Sequence, residues 1–463
     1  MKKAKSIGIN TIWHMMGMLV RVLYPVITYP YAARVLMPTN MGRYSFASSV
    51  TGYFALFASL GISVYAMRSC AACAGDREQL KERAAELLAL NIMTSFCAGA
   101  LLCAAVFVIP AMVNDRGLFL LLGLVIVFNC LGMDWFFQAM EEYAYLTAVS
   151  TVSRGISLVS LFVMVRTEQD IIPYAGVSLL HGGVTCLCNL LAVHGGLGYP
   201  ILGTLIQRLL GDDRREFLRR VWTHFRPVFL FFLMSCAVNI YTNLDTVMLG
   251  FLRDIREVGL YDAAAKVKSA LVLFSTALWH TALPRSSQCW KEGDLEGFCS
   301  LGRRSLSAVV MIQIPAALFL CLFAWPCIRI IAGEAYEGAV LPMRILCLSV
   351  WPIGISNILG GQLLISMGRE KDLFYGELFG AVSNLILNAL LIPVYGAVGA
   401  AATTLLSETI VTVWAFAALK RYLPGRFLPD GSDCRALMRE IVKGAMRYLR
   451  LIKGGQHNEL EAA

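Results

Sequence analysis

Apolar runs dominate the pattern of this chain. About twelve of them, at 10–33, 42–67, 87–110, 118–138, 144–165, 171–193, 227–251, 260–284, 306–330, 341–366, 373–392 and 397–419, are long enough to cross a bilayer as helices: roughly 20 residues at 1.5 Å apiece cover a hydrocarbon core of about 30 Å. Short polar loops separate them. The runs are continuously apolar and do not alternate, which excludes a β-barrel. A backbone in lipid must satisfy its own hydrogen bonds, which leaves helices. The pattern predicts an all-α membrane protein with about twelve transmembrane helices.

Composition agrees. Hydrophobic residues make up 57% of the 463 and charged residues only 15%, with a mean hydropathy of +0.64, where a soluble domain carries about 25% charged residues. The net charge of +9 has a direction. Of the 40 Lys and Arg, about 28 fall on the side that holds Lys2, Lys3 and Lys5, about 8 on the other side and about 4 inside the runs, so the positive-inside bias puts both termini in the cytoplasm. The densest cytoplasmic loops are 68–83, 208–226 and 285–304. The basic excess marks topology and contact with anionic membrane lipids, and no soluble domain is left to present a nucleic-acid-reading surface. The first run follows Met1-Lys2-Lys3, as a secretory signal would. It is too long for one, contains Arg21 and ends without a small-residue cleavage site, so it is expected to stay as the first span. Cys70-x-x-Cys73 and Cys186-x-Cys188 lack a second pair at zinc spacing and read as small packing residues.

The two halves echo each other. Gly42-x-Tyr44-x-x-Ala47 at the start of the second run recurs as Gly259-x-Tyr261-x-x-Ala264 at the eighth, and Pro173-x-x-Gly176 at the sixth recurs as Pro393-x-x-Gly396 at the twelfth. The offsets, 217 and 220 residues, nearly agree. A duplicated six-helix unit follows, and an even number of spans makes the copies parallel. The expected organisation is an N-terminal six-helix lobe at 1–193, a basic cytoplasmic linker at 194–226, a C-terminal six-helix lobe at 227–419 and a cytoplasmic tail at 420–463, with a central cavity between the lobes. In the tail, 433–453 repeats apolar positions at helical spacing among Arg and Lys, the pattern of an amphipathic helix on the cytoplasmic leaflet.

Charges inside spans are site candidates, because an ionised group at mid-membrane costs several kcal/mol. Arg21 lies half-way along the first run with Pro25 and Pro30 after it, Arg154 lies midway along the fifth, and Lys266 and Lys268 lie within the eighth. Lys266 and Lys268 are two apart and cannot share a face. Lys266, which follows the repeated Gly-x-Tyr-x-x-Ala element, is the expected inward residue. A hydrated cavity lined by these cations would attract an anion such as a phosphate. Among acidic and amide residues, Asp245, Glu408, Asn384, Asn388 and Thr403 or Thr404 offer hard oxygen atoms suited to a monovalent cation or a proton relay. Polar helix-to-helix hydrogen bonding accounts for the same set. His14, His181 and His280 are isolated and read as packing groups.

These residues sit in a chain that resembles the polysaccharide transporters of the multidrug/oligosaccharidyl-lipid/polysaccharide exporter superfamily, above all the O-antigen and capsule repeat-unit flippases. The resemblance runs through Pro30-Tyr31, Arg34-Val35-Leu36, Gly42-Arg43-Tyr44-Ser45-Phe46, Leu60-Gly61-Ile62, Tyr65-Ala66-Met67-Arg68 and Asp134-Trp135-Phe136-Phe137-Gln138 with Glu141 and Tyr143. It continues through Asp245, Met248-Leu249-Gly250, Gly259-Leu260-Tyr261 and Pro393-x-x-Gly396-Ala397-x-Gly399-Ala400-Ala401 with Glu408. It implies a flippase for an undecaprenyl-pyrophosphate-linked oligosaccharide, working by alternating access in the cytoplasmic membrane, with polysaccharide polymerase and glycosyltransferases as partners. It implies that Arg21 and Lys266 take the pyrophosphate and sugars, while Arg154 and Lys268 remain candidates on their mid-span positions alone. It also implies a sodium site at Asp245, Asn384, Asn388 and Thr404, with sodium or a proton as coupling ion and no other cofactor. Two departures stand out: the second run lacks the arginine that related lipid II flippases carry there, and those relatives often have fourteen spans. A multidrug extruder of the same superfamily would use Asp245 and Glu408 for cationic drugs, but the intramembrane cations oppose it. A membrane polymerase or glycosyltransferase would need a large outside loop or a clustered catalytic set, and no nucleophile–base pair or phosphate-cradling loop is found; the chain is not expected to be an enzyme.

Overall fold

The computed structural model describes the backbone of residues 7–423 except 74 and 197, with 427–430, 433, 435, 438 and 439. Within it, the side chains of 7–12, 14, 15, 18, 21, 22, 196, 230 and 233–242 lie outside the described set. Most of the amphipathic segment expected at 433–453 lies outside it as well.

Among the described residues every regular element is a helix: α1 (Ile7–Ser59), α2 (Ile62–Ala71), α3 (Arg77–Val108), α4 (Pro110–Val113), α5 (Arg116–Gly132), α6 (Asp134–Ala139), α7 (Tyr143–Met164), α8 (Ile171–Leu191), α9 (Ile201–Leu210), α10 (Arg214–Thr223), α11 (Phe225–Leu252), α12 (Ile255–Glu292), α13 (Leu295–Ala308), α14 (Ile314–Leu322), α15 (Ala324–Ile331), α16 (Val340–Ser356) and α17 (Glu370–Tyr422). Helix covers each of the twelve expected runs. Eight stretches among the described residues are long and apolar enough to cross a membrane. Two of these, Leu23–Ala71 and Glu370–Tyr422, have 49 and 53 residues, more than twice what one crossing needs. Each contains a break: Met37 has φ 64°, ψ 167° and Gly396 has φ 56°, ψ −132°. Large apolar side chains stand exposed along these helices, among them Phe96, Phe107 and Val108 on α3 and Ile386, Leu390 and Val394 on α17. Surface of that kind is at home in lipid, not water.

By contacts the chain divides into two units, 1–262 with 328–338, and 263–327 with 339–463. In the first, α1 packs on α3, α5, α7 and α11, and α8 packs on α5 and α7. One of its cores joins Leu80, Leu87 and Leu88 of α3 with Phe136 and Phe137 of α6 and Phe217 of α10. In the second, α16 packs on α17 and α14, and Phe298, Leu363 and Leu419 close a core.

The motifs behind the resemblance are mostly packing devices. A Cβ built on Gly42 would lie 2.0 Å from the Ile255 carbonyl oxygen and 3.0 Å from the Gly259 nitrogen. One built on Gly259 would lie 2.0 Å from the Pro38 carbonyl oxygen and 3.1 Å from the Gly42 nitrogen. The repeated glycines therefore face each other where α1 crosses α12, and backbone meets backbone because neither carries a side chain. Arg43 grips Asp115 through Nε at 2.9 Å and through Nη2, while Phe46 lies where Gly250 leaves room for its ring. Gly61, at φ 73°, turns α1 into α2 against the backbone of Phe231 and Phe232. The second repeated pair differs. Gly396 breaks α17, whereas Gly176 is an ordinary helical residue with nothing near its Cβ position.

The basic segment 194–226 is folded. Helices α9 and α10 dock on α3, where the Arg208 Nη2 donates to Glu82 Oε1 at 2.8 Å and Arg220 Nε lies 3.2 Å from Glu86 Oε1. His224 is 2% exposed. Its ring bridges Glu86 Oε2 at 3.1 Å and the Tyr65 hydroxyl at 2.9 Å. The Glu82 carboxylate raises the pKa of the Arg208 guanidinium further, through their hydrogen bond.

Candidate functional site

The cationic candidates fall on two elements of the first unit and one of the second. Arg21 lies in α1, with its side chain outside the described set. Arg154 on α7 is half-buried. Its Nε donates to Ser150 Oγ at 3.4 Å, and its guanidinium carbon stands 5.4 Å from the centre of the Tyr24 ring, within cation–π range. Tyr24 follows Arg21 by three residues on α1, so the fold carries Arg154 to the part of α1 just beyond Arg21. Lys266 and Lys268 belong to the second unit; Lys266 is exposed, Lys268 is less so, and Val267 between them is buried.

Asp245 on α11 is 6% exposed and accepts a hydrogen bond from the Tyr261 hydroxyl of α12. Tyr53 of α1 lies close enough to feel its charge. A second buried carboxylate, Asp262, stands one helical position past Tyr261 with Tyr29 and Tyr336 beside it. Sequence reasoning passed over Asp262, although a carboxylate three residues after Gly259 in an apolar run was a usable signal. Only the tertiary fold, which brings Tyr29 and Tyr336 to it, shows it buried.

Asn384, Asn388, Thr403 and Thr404 are all buried within the second unit, to which Glu408, half-buried, also belongs. Asn388 Nδ2 donates to Asn384 Oδ1 at 3.0 Å, and Thr404 Oγ1 donates to the Ala400 carbonyl at 3.1 Å. The hydroxyl oxygens of Thr403 and of Ser407, one turn on, are buried without a hydrogen-bond partner. Neutral oxygens of this kind suit a hard cation better than a soft one. Asp245 belongs to the first unit.

Comparison with known proteins places the chain. The family model described as polysaccharide biosynthesis protein matches residues 7–290, well over half of the 463. The chain belongs to this polysaccharide biosynthesis family. The MatE model matches residues 231–390, and the family falls within the multidrug/oligosaccharidyl-lipid/polysaccharide exporter superfamily. Over 396 residues the chain is 24% identical to the "Putative O-antigen transporter" of Escherichia coli (strain K12), covering 84% of this chain and 91% of that one. Its fold is similar to that of the lipid II flippase MurJ in an inward closed conformation, with TM-score 0.68 and 13% identity over 96% of this chain and 92% of that one. An inward-facing multidrug resistance MATE family transporter is similar too, with TM-score 0.66 and 15% identity over 90% and 98% of the two chains. The chain is thus a multi-pass membrane protein of a transporter fold.

This member of the polysaccharide biosynthesis family also holds, inside its first unit, a cavity of about 500 Å³. Its floor is the junction of α5 and α6, where Met133 takes φ 45°. Asn189 of α8 secures that junction, donating from Nδ2 to the Gly132 carbonyl at 2.7 Å and to Asp134 Oδ1 at 2.7 Å. Asp134 and Trp135 line the cavity, while Phe136 and Phe137 beneath them are buried in the core. The Asp134-Trp135-Phe136-Phe137 signature is therefore half wall and half foundation.

Proposed function

We propose that this chain is a flippase for an undecaprenyl-pyrophosphate-linked oligosaccharide repeat unit in the cytoplasmic membrane. It works by alternating access between two six-helix lobes, with both termini in the cytoplasm. The observation that carries the proposal is Arg154, a guanidinium within a membrane-spanning helix beside the neutral Tyr24 and Ser150, in a family member that spans 91% of a relative named for O-antigen transport. A charge kept at that depth needs a task, and a diphosphate supplies one. Arg21, Arg154 and one of Lys266 and Lys268, which cannot share a face, take the head group while the polyprenyl tail stays in lipid. Glycosyltransferases build the cargo and a polymerase consumes it.

Movement of a multiply charged head group across lipid needs a driving force. Asp245, Asn384, Asn388 and Thr404 would hold a sodium ion, with Glu408 on the same helix as the last two as a proton-carrying alternative. A bound cation would neutralise Asp245 and so change the cost of burying it. The test is complementation of a deletion strain. Arg154→Ala is expected to insert normally yet to leave surface polymer at least tenfold below wild type, with lipid-linked repeat unit accumulating. Wild-type polymer yield from Arg154→Ala would remove the proposal.

A further inference from the structure

The segment between the ninth and tenth apolar runs does not pack where its neighbours in the chain do. Residues 328–338 belong to the first unit, whereas 263–327 and 339–463 form the second. Its apolar positions Ile328, Ala332 and Tyr336, four residues apart, are 1%, 1% and 0% exposed. Arg34 of α1 donates from Nη2 to the Ile330 carbonyl. Gly333 turns the segment at φ 98°, where a Cβ built on it would lie 3.4 Å from Arg34 Cγ, a backbone conformation that glycine adopts without strain. Tyr336 is the large side chain of the three buried ones. It lies close enough to Asp262 of α12 to feel its charge, with Tyr29 of α1 and Tyr174 of α8 beside it.

These partners come from one face of the membrane. Tyr29 and Arg34 lie at the end of the first run, Tyr174 at the start of the sixth, Asp262 at the start of the eighth and Tyr336 after the ninth. Each junction follows an odd number of crossings, so all fall opposite the termini, on the outer side. The seat of Tyr336 also carries a cost. Its hydroxyl is buried with no hydrogen-bond partner, and phenylalanine would fill the same space without burying a polar group. A permanent anchor gains nothing from that hydroxyl, but an anchor that must be withdrawn in every cycle does, because the hydroxyl keeps its seat shallow.

We infer that 328–338 is a releasable strap, with Tyr336 seated while the outer side is closed and withdrawn when cargo leaves. The inference rests on the flippase proposal above. There, Tyr29 and Arg34 belong to the N-terminal lobe and 328–338 to the C-terminal lobe, so the strap joins the lobes on the outer side and must let go before they part there. Such a segment draws on the low-stability end of the fold, where local opening is cheap.

The test is hydrogen–deuterium exchange of the full chain in nanodiscs, paired with translocation of the extracted lipid-linked repeat unit in proteoliposomes. Tyr336→Phe is expected to slow exchange in 328–338 by about fivefold and to slow translocation by about threefold or more, while the 110–116 turn on the same side exchanges as in wild type. Tyr336→Ala, which empties the seat, is expected to speed exchange in 328–338 by about tenfold or more. Arg34→Cys with Gly333→Cys, joined by a short reducible crosslinker, is expected to lower translocation by about tenfold or more and to recover with reductant; the reduced pair controls for the strain of a cysteine at positive φ. Exchange in 328–338 that is unchanged or faster in Tyr336→Phe, an equal slowing at 110–116, or full translocation by the crosslinked chain overturns the strap. The flippase proposal is judged separately, by whether wild-type proteoliposomes move the extracted lipid at all.

Discussion

Gly42→Ala is the most direct probe of the fold, because its sign is opposite to what helix propensity alone gives. An alanine inside a helix is favoured over glycine by about 1 kcal/mol, so a free helix surface would gain stability. At Gly42 the added Cβ would stand 2.0 Å from the Ile255 carbonyl oxygen and 3.0 Å from the Gly259 nitrogen, where an ordinary C···O contact is about 3.3–3.6 Å. The obstacle is backbone, which cannot swing aside as a side chain can, so α1 and α12 must part by more than about 1 Å. Overpacking of this kind costs about 1–3 kcal/mol. Net of propensity, the substitution should lower the thermal midpoint by a few degrees, at about 2–4 °C per kcal/mol for a unit of this size. Gly259→Ala meets the Pro38 carbonyl oxygen at 2.0 Å and should behave alike. One separation of the helices relieves both overlaps, so the double variant should lose less than the two single losses combined. Gly52→Ala, on the same helix with nothing within 4 Å of its Cβ position, serves as control and should be neutral or slightly stabilising. The assay is thermal unfolding in detergent followed by size-exclusion chromatography. A midpoint for Gly42→Ala equal to that of Gly52→Ala, or strict additivity in the double variant, would refute the crossing.

Other outcomes follow from the same geometry. Glu86→Ala removes the carboxylate that faces His224 and Arg220; breaking a buried pair costs about 3–5 kcal/mol, and with Arg220 partly exposed the expected loss is about 2 kcal/mol, read as a lower midpoint and faster proteolysis in 194–226. Asp170, just before α8, accepts from the backbone N–H of Arg166 at 2.9 Å and of Thr167 at 2.7 Å, which holds its carboxyl below the usual range. That contribution is complete above the ordinary carboxylate pKa of about 3.9 and disappears as pH falls through the lowered folded value. Asp170→Asn should therefore flatten the acid limb of a midpoint-against-pH curve below about pH 4, and an unaltered limb would contradict the assignment. Asp245→Asn should abolish any sodium or proton dependence of lipid translocation in proteoliposomes; a dependence that persists excludes Asp245 from coupling.

Much of this protein is written in its one-dimensional pattern. Runs of about 20 apolar residues can only be helices in lipid, because every backbone group must bond within its own segment, and the helices fall where the runs do. The family was legible too, through short ordered motifs. What those motifs do was not. Gly42 and Gly259 are 217 residues apart, and their shared purpose, a backbone contact between α1 and α12, exists only once both helices are placed. The basic stretch 194–226 reads in the sequence as a cytoplasmic linker. Tertiary structure supplies the half-buried Glu82 and the buried Glu86 of α3, on which it folds. Asn91, Asn129 and Asp134 come from separate helices and have no common spacing, so no periodicity could announce the cavity they line. Sequence alone thus decided which segments enter the membrane, a matter of local transfer free energy. Only packing decided which polar groups meet, because that depends on contacts between residues far apart in the chain.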